Sequence, residues 1–254
     1  MTKKIKNNGF TLVEMSIVLV IIGLIVAGVM AGRSLIQSAN INTIVSDVKK
    51  YRTVFNTFQD RYGYLPGDYP YAHQQWPYCL TGGNQCQGDG DGQINVPGPV
   101  SEAESNWSWQ HLYLAELLPN EYTGTRTALN LNPGDIIPEA RFKGGHAGYN
   151  LMGYSLGFYG TTYLGGGQYH RSNFLLLATR NGADFSGPAI SPVDAKSIDT
   201  KMDDGRSSHG VVRTLRGFNA GGSPYNTCTE PDLRGDYELL TTDNVCRMFF
   251  DFGG

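Results

Sequence analysis

A chain of 254 residues with 40% hydrophobic side chains is long enough to bury a core, and its net charge of −3 leaves no basic stripe for nucleic-acid binding. The 33 glycines are concentrated after residue 62, which points to turns, loops and β-structure there and argues against a helical bundle. Four cysteines suit an exported domain that folds under oxidising conditions.

The first element is a short basic leader, in which Lys3, Lys4 and Lys6 stand without an acidic residue. It runs into an apolar segment broken near its start by one carboxylate, Glu14. From Met15 to Gly32 the only polar side chain is Ser16, so a helix over those 18 residues would extend about 27 Å and nearly span a bilayer. By the positive-inside rule the lysines stay cytoplasmic and the chain after Gly32 is exported. A lone acid at the bilayer centre costs roughly 2.5 to 3.5 kcal/mol, so Glu14 calls for a partner or a function.

The apolar pattern does not stop at the small residues Ala27 to Gly32, where a secretory signal would be cleaved. Leu35, Ile36, Ala39, Ile41, Ile44, Val45, Val48, Tyr51, Val54, Phe55, Phe58 and Tyr62 continue it at steps of three and four, which predicts one helix from about Phe10 to Tyr62. Cleavage near residue 32 would discard the anchor of that helix. A permanent signal anchor explains the stripe, but not Gly9-Phe10 followed by Thr11-Leu12-Val13-Glu14.

The string from Lys3 to Glu14 resembles the leader and cleavage site of type IV pilins and pseudopilins. In that family a membrane aspartyl peptidase cuts after the glycine and methylates the new amine. The resemblance implies that Gly9 closes the leader (1–9), that Phe10 is the methylated terminus, and that Glu14 guides assembly. It also implies a prepilin peptidase, other pilin or pseudopilin subunits and an inner-membrane assembly platform as partners. The physics agrees: cleavage puts a positive amine four residues before Glu14 in a low-dielectric setting, where the amine of an incoming subunit can neutralise that acid. Removing Lys3, Lys4 and Lys6 also takes three positive charges from the net of −3, leaving −6 before the new amine is counted.

After the stalk helix (10–62, with its membrane and assembly half at 10–32), Leu65-Pro66-Gly67-Asp68 forbids continuation, and 63–254 forms the exported head. Ser101 to Glu104 reads as a capping box for a second helix ending near Leu118, with Trp107, Leu114 and Leu118 on one face and Pro119 as the stop. Ser191-Pro192 reads as another helix start. Strands are expected at Tyr149 to Tyr159, Asn173 to Thr179, Gly210 to Gly217 and Val245 to Phe252, forming an antiparallel sheet against the lower stripe of the stalk. The fold class is therefore α+β. Tyr64 to Asp68, Gly88 to Gly92, Trp109 to Leu112 and Ile198 to Gly205 occur in an order that resembles a group of large pilin-like proteins, which brings no specific activity.

Cys79, Cys86, Cys228 and Cys246 allow three connectivities, and their spacing favours Cys79 with Cys86 and Cys228 with Cys246; zinc is disfavoured because neither pair has C-x-x-C spacing. In Gln87-Gly88-Asp89-Gly90-Asp91-Gly92 alternating carboxylates on a glycine-rich turn can converge on a hard cation such as calcium. A full EF-hand is not met, since Gly98 stands where a bidentate Glu is required; Asp68, Glu102 or Glu104 would complete a different site, against the alternative of a solvated turn. Asp199, Asp203 and Asp204 form a second acidic group, read as solvated. Gly153-Tyr154-Ser155-Leu156-Gly157, with Asp199 and His209, matches a nucleophile elbow in order only, because no helix-forming segment follows the serine. The five histidines, His73, His111, His146, His170 and His209, lack ligand spacing and read mostly as surface or loop residues. No organic cofactor is implied, and no enzyme. The expectation is a structural subunit, stored in the inner membrane by a single pass and then built into a pilus or pseudopilus filament; the alternative is an anchored binding or adhesion module that never polymerises.

Overall fold

The computed structural model describes residues 10–79, 86–95, 104–124, 133–140, 147–155, 171–181, 184–208, 210–217, 228–229, 236–240 and 242–253. In chain order these form α1 (Leu12–Tyr62), α2 (Ala72–Gln75), α3 (Glu104–Leu114), β1 (Glu139–Ala140), β2 (Ala147–Ser155), β3 (Arg171–Asn181), β4 (Asp184–Gly187), α4 (Pro192–Met202), β5 (Val212–Arg216) and β6 (Cys246–Gly253). A long N-terminal helix followed by an antiparallel sheet with loops is an α+β architecture. The chain divides into two compact units at Asn40/Ile41, inside α1.

In the first unit, α1 carries apolar side chains on every side, and large ones such as Leu19, Leu24 and Met30 are exposed. The helix is long and apolar enough to cross a membrane, and its backbone polar groups are satisfied within the helix, as a lipid interior demands. Leu35 and Ile36, which continue the apolar pattern, are 72% and 61% exposed.

The second unit begins where the helix becomes one-sided. Ile41, Ile44, Val48, Tyr51, Phe55 and Phe58 recur at steps of three and four and are all buried. Gly63 ends the helix at φ +73, its amide bonded to the carbonyl of Gln59, the left-handed stop that a glycine makes without a Cβ penalty.

The sheet runs in the order β1-β2-β3-β6-β5, with β4 also paired to β3. All its pairings are antiparallel, so successive residues alternate between faces. Tyr149 of β2 and Phe252 of β6 meet Tyr51 and Phe55 of α1, with ring centroids 5.2 Å and 5.4 Å apart. The register Tyr149↔Leu177 and Leu175↔Phe250 puts Leu175, Leu177 and Phe250 on the same face, and all are fully buried. The last strand thus lies inside the sheet, where β3 and β5 flank it.

The four expected strands are present with ends shifted by a few residues; β1 and β4 were not expected. The second helix is shorter than its pattern suggested. It stops at Leu114 in a Schellman turn, with Leu117 N–H bonded to the Leu112 carbonyl (3.0 Å), Glu116 N–H to that of Tyr113 (2.9 Å), and Glu116 at φ +61. Leu118 is nevertheless buried, as the apolar pattern required. At α4, Ser191 accepts the Asp194 amide as N-cap and Pro192 occupies the first turn.

Candidate functional site

Gly9 lies outside the described residues. Phe10 is 83% exposed and precedes the helix, which starts at Leu12. Thr11 and Glu14 close a reciprocal capping box. The Thr11 amide and hydroxyl both donate to Glu14 Oε2, each at 2.8 Å, while the Glu14 amide donates to Thr11 Oγ1 at 3.2 Å. The carboxylate is thus held at the positive end of the helix dipole.

In the second unit, Asp68 stands just beyond the end of α1 and is buried. Its Oδ1 accepts the amides of Gly90 (2.6 Å) and Asp91 (3.2 Å), and its Oδ2 that of Gly92 (2.9 Å). One carboxylate therefore shapes the Gly-Asp-Gly-Asp-Gly turn. The close fit requires glycine nearby: a Cβ on Gly88 would lie 2.3 Å from the Asp68 backbone, and one on Gly67, at φ +96, 2.3 Å from the Glu104 carbonyl.

Glu104 is the second organiser. It accepts the Asp89 amide (3.0 Å) and the Asn95 amide (2.7 Å), so its carboxylate holds both flanks of the turn. The expected capping box paired this side chain with Ser101; among the described residues its carboxylate is bonded to loop amides that come within reach only in the fold. Ser101 and Glu102 lie outside the described residues. Asp89 and Asp91 are exposed, and each accepts the amide two residues on.

Among the described residues, the groups that shift the carboxylates of this cluster are backbone amides and other carboxylates. Burial pushes Asp68 up to about 6, against the opposing pull of the Gly92 and Gly90 amides, with Asp91 and Asp89 adding repulsion. Burial likewise pushes Glu104 up to about 7. Asp68, Asp89 and Asp91 bring one ligand atom each within 4.8 Å of one another. Their donor set is all oxygen, which fits a hard cation such as calcium and not a thiophilic metal.

The structure pairs Cys79 with Cys86 and Cys228 with Cys246. The first bond closes the loop that leads into the acidic turn, and the second ties residue 228 to the start of β6. Beside the first lies His111, fully buried on α3. Its Nδ1 accepts the Gly67 amide at 2.9 Å, so Nε2 carries the proton and donates to the Cys86 carbonyl at 2.9 Å. Burial lowers His111 to about 4. Its reading as a surface or loop residue is therefore corrected: in Trp109-Gln110-His111-Leu112 it joins the end of the long helix to the disulfide loop.

In the second acidic group, Asp199 is fully buried and accepts from Tyr237 Oη (2.6 Å) and the Gly205 amide (3.1 Å), which corrects its reading as solvated. Tyr237 Oη also bonds Thr214 Oγ1 at 2.8 Å, so this acid fastens α4 to β5. Asp203 accepts the amides of Val211 and Val212, while Asp204 is exposed. Ser155 ends strand β2, and Leu156, Gly157 and His209 of the elbow pattern lie outside the described residues.

A family model described as the prokaryotic N-terminal methylation motif matches residues 4–30. No curated protein and no solved structure matches the chain. The motif supports a leader of the type IV pilin and pseudopilin kind, implies processing by a prepilin peptidase and assembly with other pilin subunits, and points to a structural subunit. With α1 it fits a membrane-anchored single pass. The comparison thus covers the start of the chain alone, where residues 4–30 carry a prepilin-type methylation motif.

Proposed function

We propose that the chain is cut after Gly9, methylated on Phe10, stored in the inner membrane with residues 41–254 outside, and built through α1 into a type IV pilus or type II secretion pseudopilus. The observation that carries this reading is the methylation motif at residues 4–30 with Glu14 standing just before a helical segment, Met15 to Gly32, whose only polar side chain is Ser16. An unpaired acid in such a segment is costly, and the amine that cleavage creates on a second subunit offsets that cost only when subunits meet in register. A helix repeating this contact head to tail does not close and so propagates a fibre.

The test is the mature protein itself. Mass and terminal sequencing should show a start at N-methylated Phe10, and sheared filaments should contain the chain. Glu14→Ala should be cut and inserted normally yet be depleted from filaments. Full incorporation of that variant sinks the assembly role, and a mature protein confined to the membrane fraction leaves an anchored binding module instead.

The oxygen-only donor set of Asp68, Asp89 and Asp91, whose carboxylates repel one another, supports a calcium ion on the acidic turn as part of the same reading. Millimolar calcium should then raise the melting temperature, and Asp89→Ala with Asp91→Ala should abolish the rise.

A further inference from the structure

Three segments distant in sequence meet at His111 of α3. Its Nδ1 accepts the amide of Gly67, just past the end of α1, and its Nε2 donates to the carbonyl of Cys86, both at 2.9 Å. The imidazole and both cysteines of the first disulfide are fully buried. Cys86 stands at φ +47, in the left-handed region that a residue with a Cβ rarely takes. Its sulfur is tied to Cys79 and its carbonyl to His111, so two restraints hold it there.

The residues after Cys86 lie flush against those after Gly67. The Gly88 amide donates to the Tyr69 carbonyl at 3.2 Å, and a Cβ on Gly88 would lie 2.3 Å from the Asp68 backbone. Asp68 in turn takes the amides of Gly90, Asp91 and Gly92. A continuous path therefore runs from the disulfide to the acidic turn. The sheet reaches that turn at a different point, through Asn173, which accepts the Ile94 amide and donates to the Gly92 carbonyl.

We propose that the Cys79–Cys86 bond is a redox latch: closed, it holds Cys86 in the left-handed conformation and, through His111, fixes the exit of α1 against the acidic turn; open, it loosens that junction and leaves the sheet folded. The latch is a property of the head and does not depend on assembly. Closing it takes two electrons and two protons from the two thiols and passes them to a disulfide oxidant, which leaves as a dithiol; a dithiol reductant reverses the exchange. With the bond open, Cys86 is free to leave its strained φ, which withdraws its carbonyl from the His111 N–H. A buried donor that loses its acceptor is costly, so the ring moves as well and gives up the Gly67 amide. A chain still in a reducing compartment then has its sheet but not its ordered junction.

The experiment reads hydrogen exchange at single residues in the full mature chain, held in detergent micelles without reductant. Cys79→Ser with Cys86→Ser should speed exchange at Gly67, Gly88 and Gly90 by about tenfold or more, the scale of one relieved left-handed residue. The amides of Ile94, β3 and β6 should keep the protection of the parent. The imidazole nitrogen signals of His111, identified by their loss in His111→Gln, should move away from the Nε2–H pattern in the same variant. Cys228→Ser with Cys246→Ser should leave the three glycines and the imidazole as they are in the parent. His111→Leu, with both disulfides closed, should release Gly90 as well as Gly67.

Protection of Gly88 and Gly90 that survives opening of the Cys79–Cys86 bond would overturn the latch. So would a loss shared equally with β3 and β6, an equal loss on opening the other disulfide, an unmoved His111 signal, or a His111→Leu chain that keeps Gly90 protected.

Discussion

The two halves of α1 are one helix under two kinds of selection. Up to Asn40 apolar side chains stand on all sides and stay exposed in the isolated chain. From Ile41 the same helix has a single stripe, which ends in aromatic contacts between Tyr51 and Trp109 (5.0 Å) and between Phe55 and Phe252 (5.4 Å). Helical periodicity is common to both. What differs is the surroundings each face suits, and the lesson is that a continuous element can belong to two compact units.

The sharpest way to break that comparison is to truncate one side chain in each half. Phe55→Ala removes a ring that is 1% exposed and should cost about 3–5 kcal/mol in denaturant unfolding of the head. Leu24→Ala should leave the same transition in place. A matching loss from Leu24→Ala would show that the halves do not unfold separately.

Next in size are the disulfides, which belong to the head alone. Replacing Cys228 and Cys246 by serine opens a loop with a sequence separation of 18. It should cost about 3 kcal/mol by chain-entropy reasoning, read as a lower denaturant midpoint under oxidising conditions. Calcium follows. At a hundredfold excess over its dissociation constant it should stabilise the head by about 2.7 kcal/mol. That gain should vanish in Asp89→Ala with Asp91→Ala and be unaffected by any substitution before residue 40.

The smallest expected effect is on pH dependence. Asp68, Glu104 and Asp199 have folded values raised to about 6, 7 and 6, so between about pH 4 and 7 the native state holds more protons than the unfolded one. Their contribution is fully present below the unfolded carboxylate value and is lost as pH rises through 6 to 7. His111, lowered to about 4, works the other way: its contribution is present above its ordinary value of 6.5 and is lost as pH falls toward 4. His111→Gln should therefore make the head lose stability more steeply with rising pH between 4 and 6.5, as read by melting temperature. A slope equal to that of the parent would remove His111 from the balance.

Much of this was legible in the residues because it depends on near neighbours. The basic leader, Gly9-Phe10 and Glu14 are a local string. The stripe from Ile41 to Phe58 is a period, and Ser191-Pro192 is a helix start whose partners sit within one turn. Tertiary contact overrode local pattern elsewhere. Glu104 has the spacing of a capping-box acid, yet its carboxylate is taken by amides 9 and 15 residues away in sequence. Glu116 takes the left-handed position usually given to glycine, so a proline three residues later was a misleading stop signal. His111 and Asp199 gave no sign of burial, because the groups that satisfy them, Gly67, Cys86 and Tyr237, are brought together only by folding.

The sequence by itself determined the cleavage motif, the helix and the strand segments, since each follows from composition and periodicity over a few turns of chain. Only the tertiary structure decided where the helix changes from one unit to the other and which carboxylates are spent on holding loops. It also decided that the last strand lies inside the sheet. Those outcomes depend on which distant amides and rings come within a few ångströms, and that is a property of packing, to which no local pattern refers.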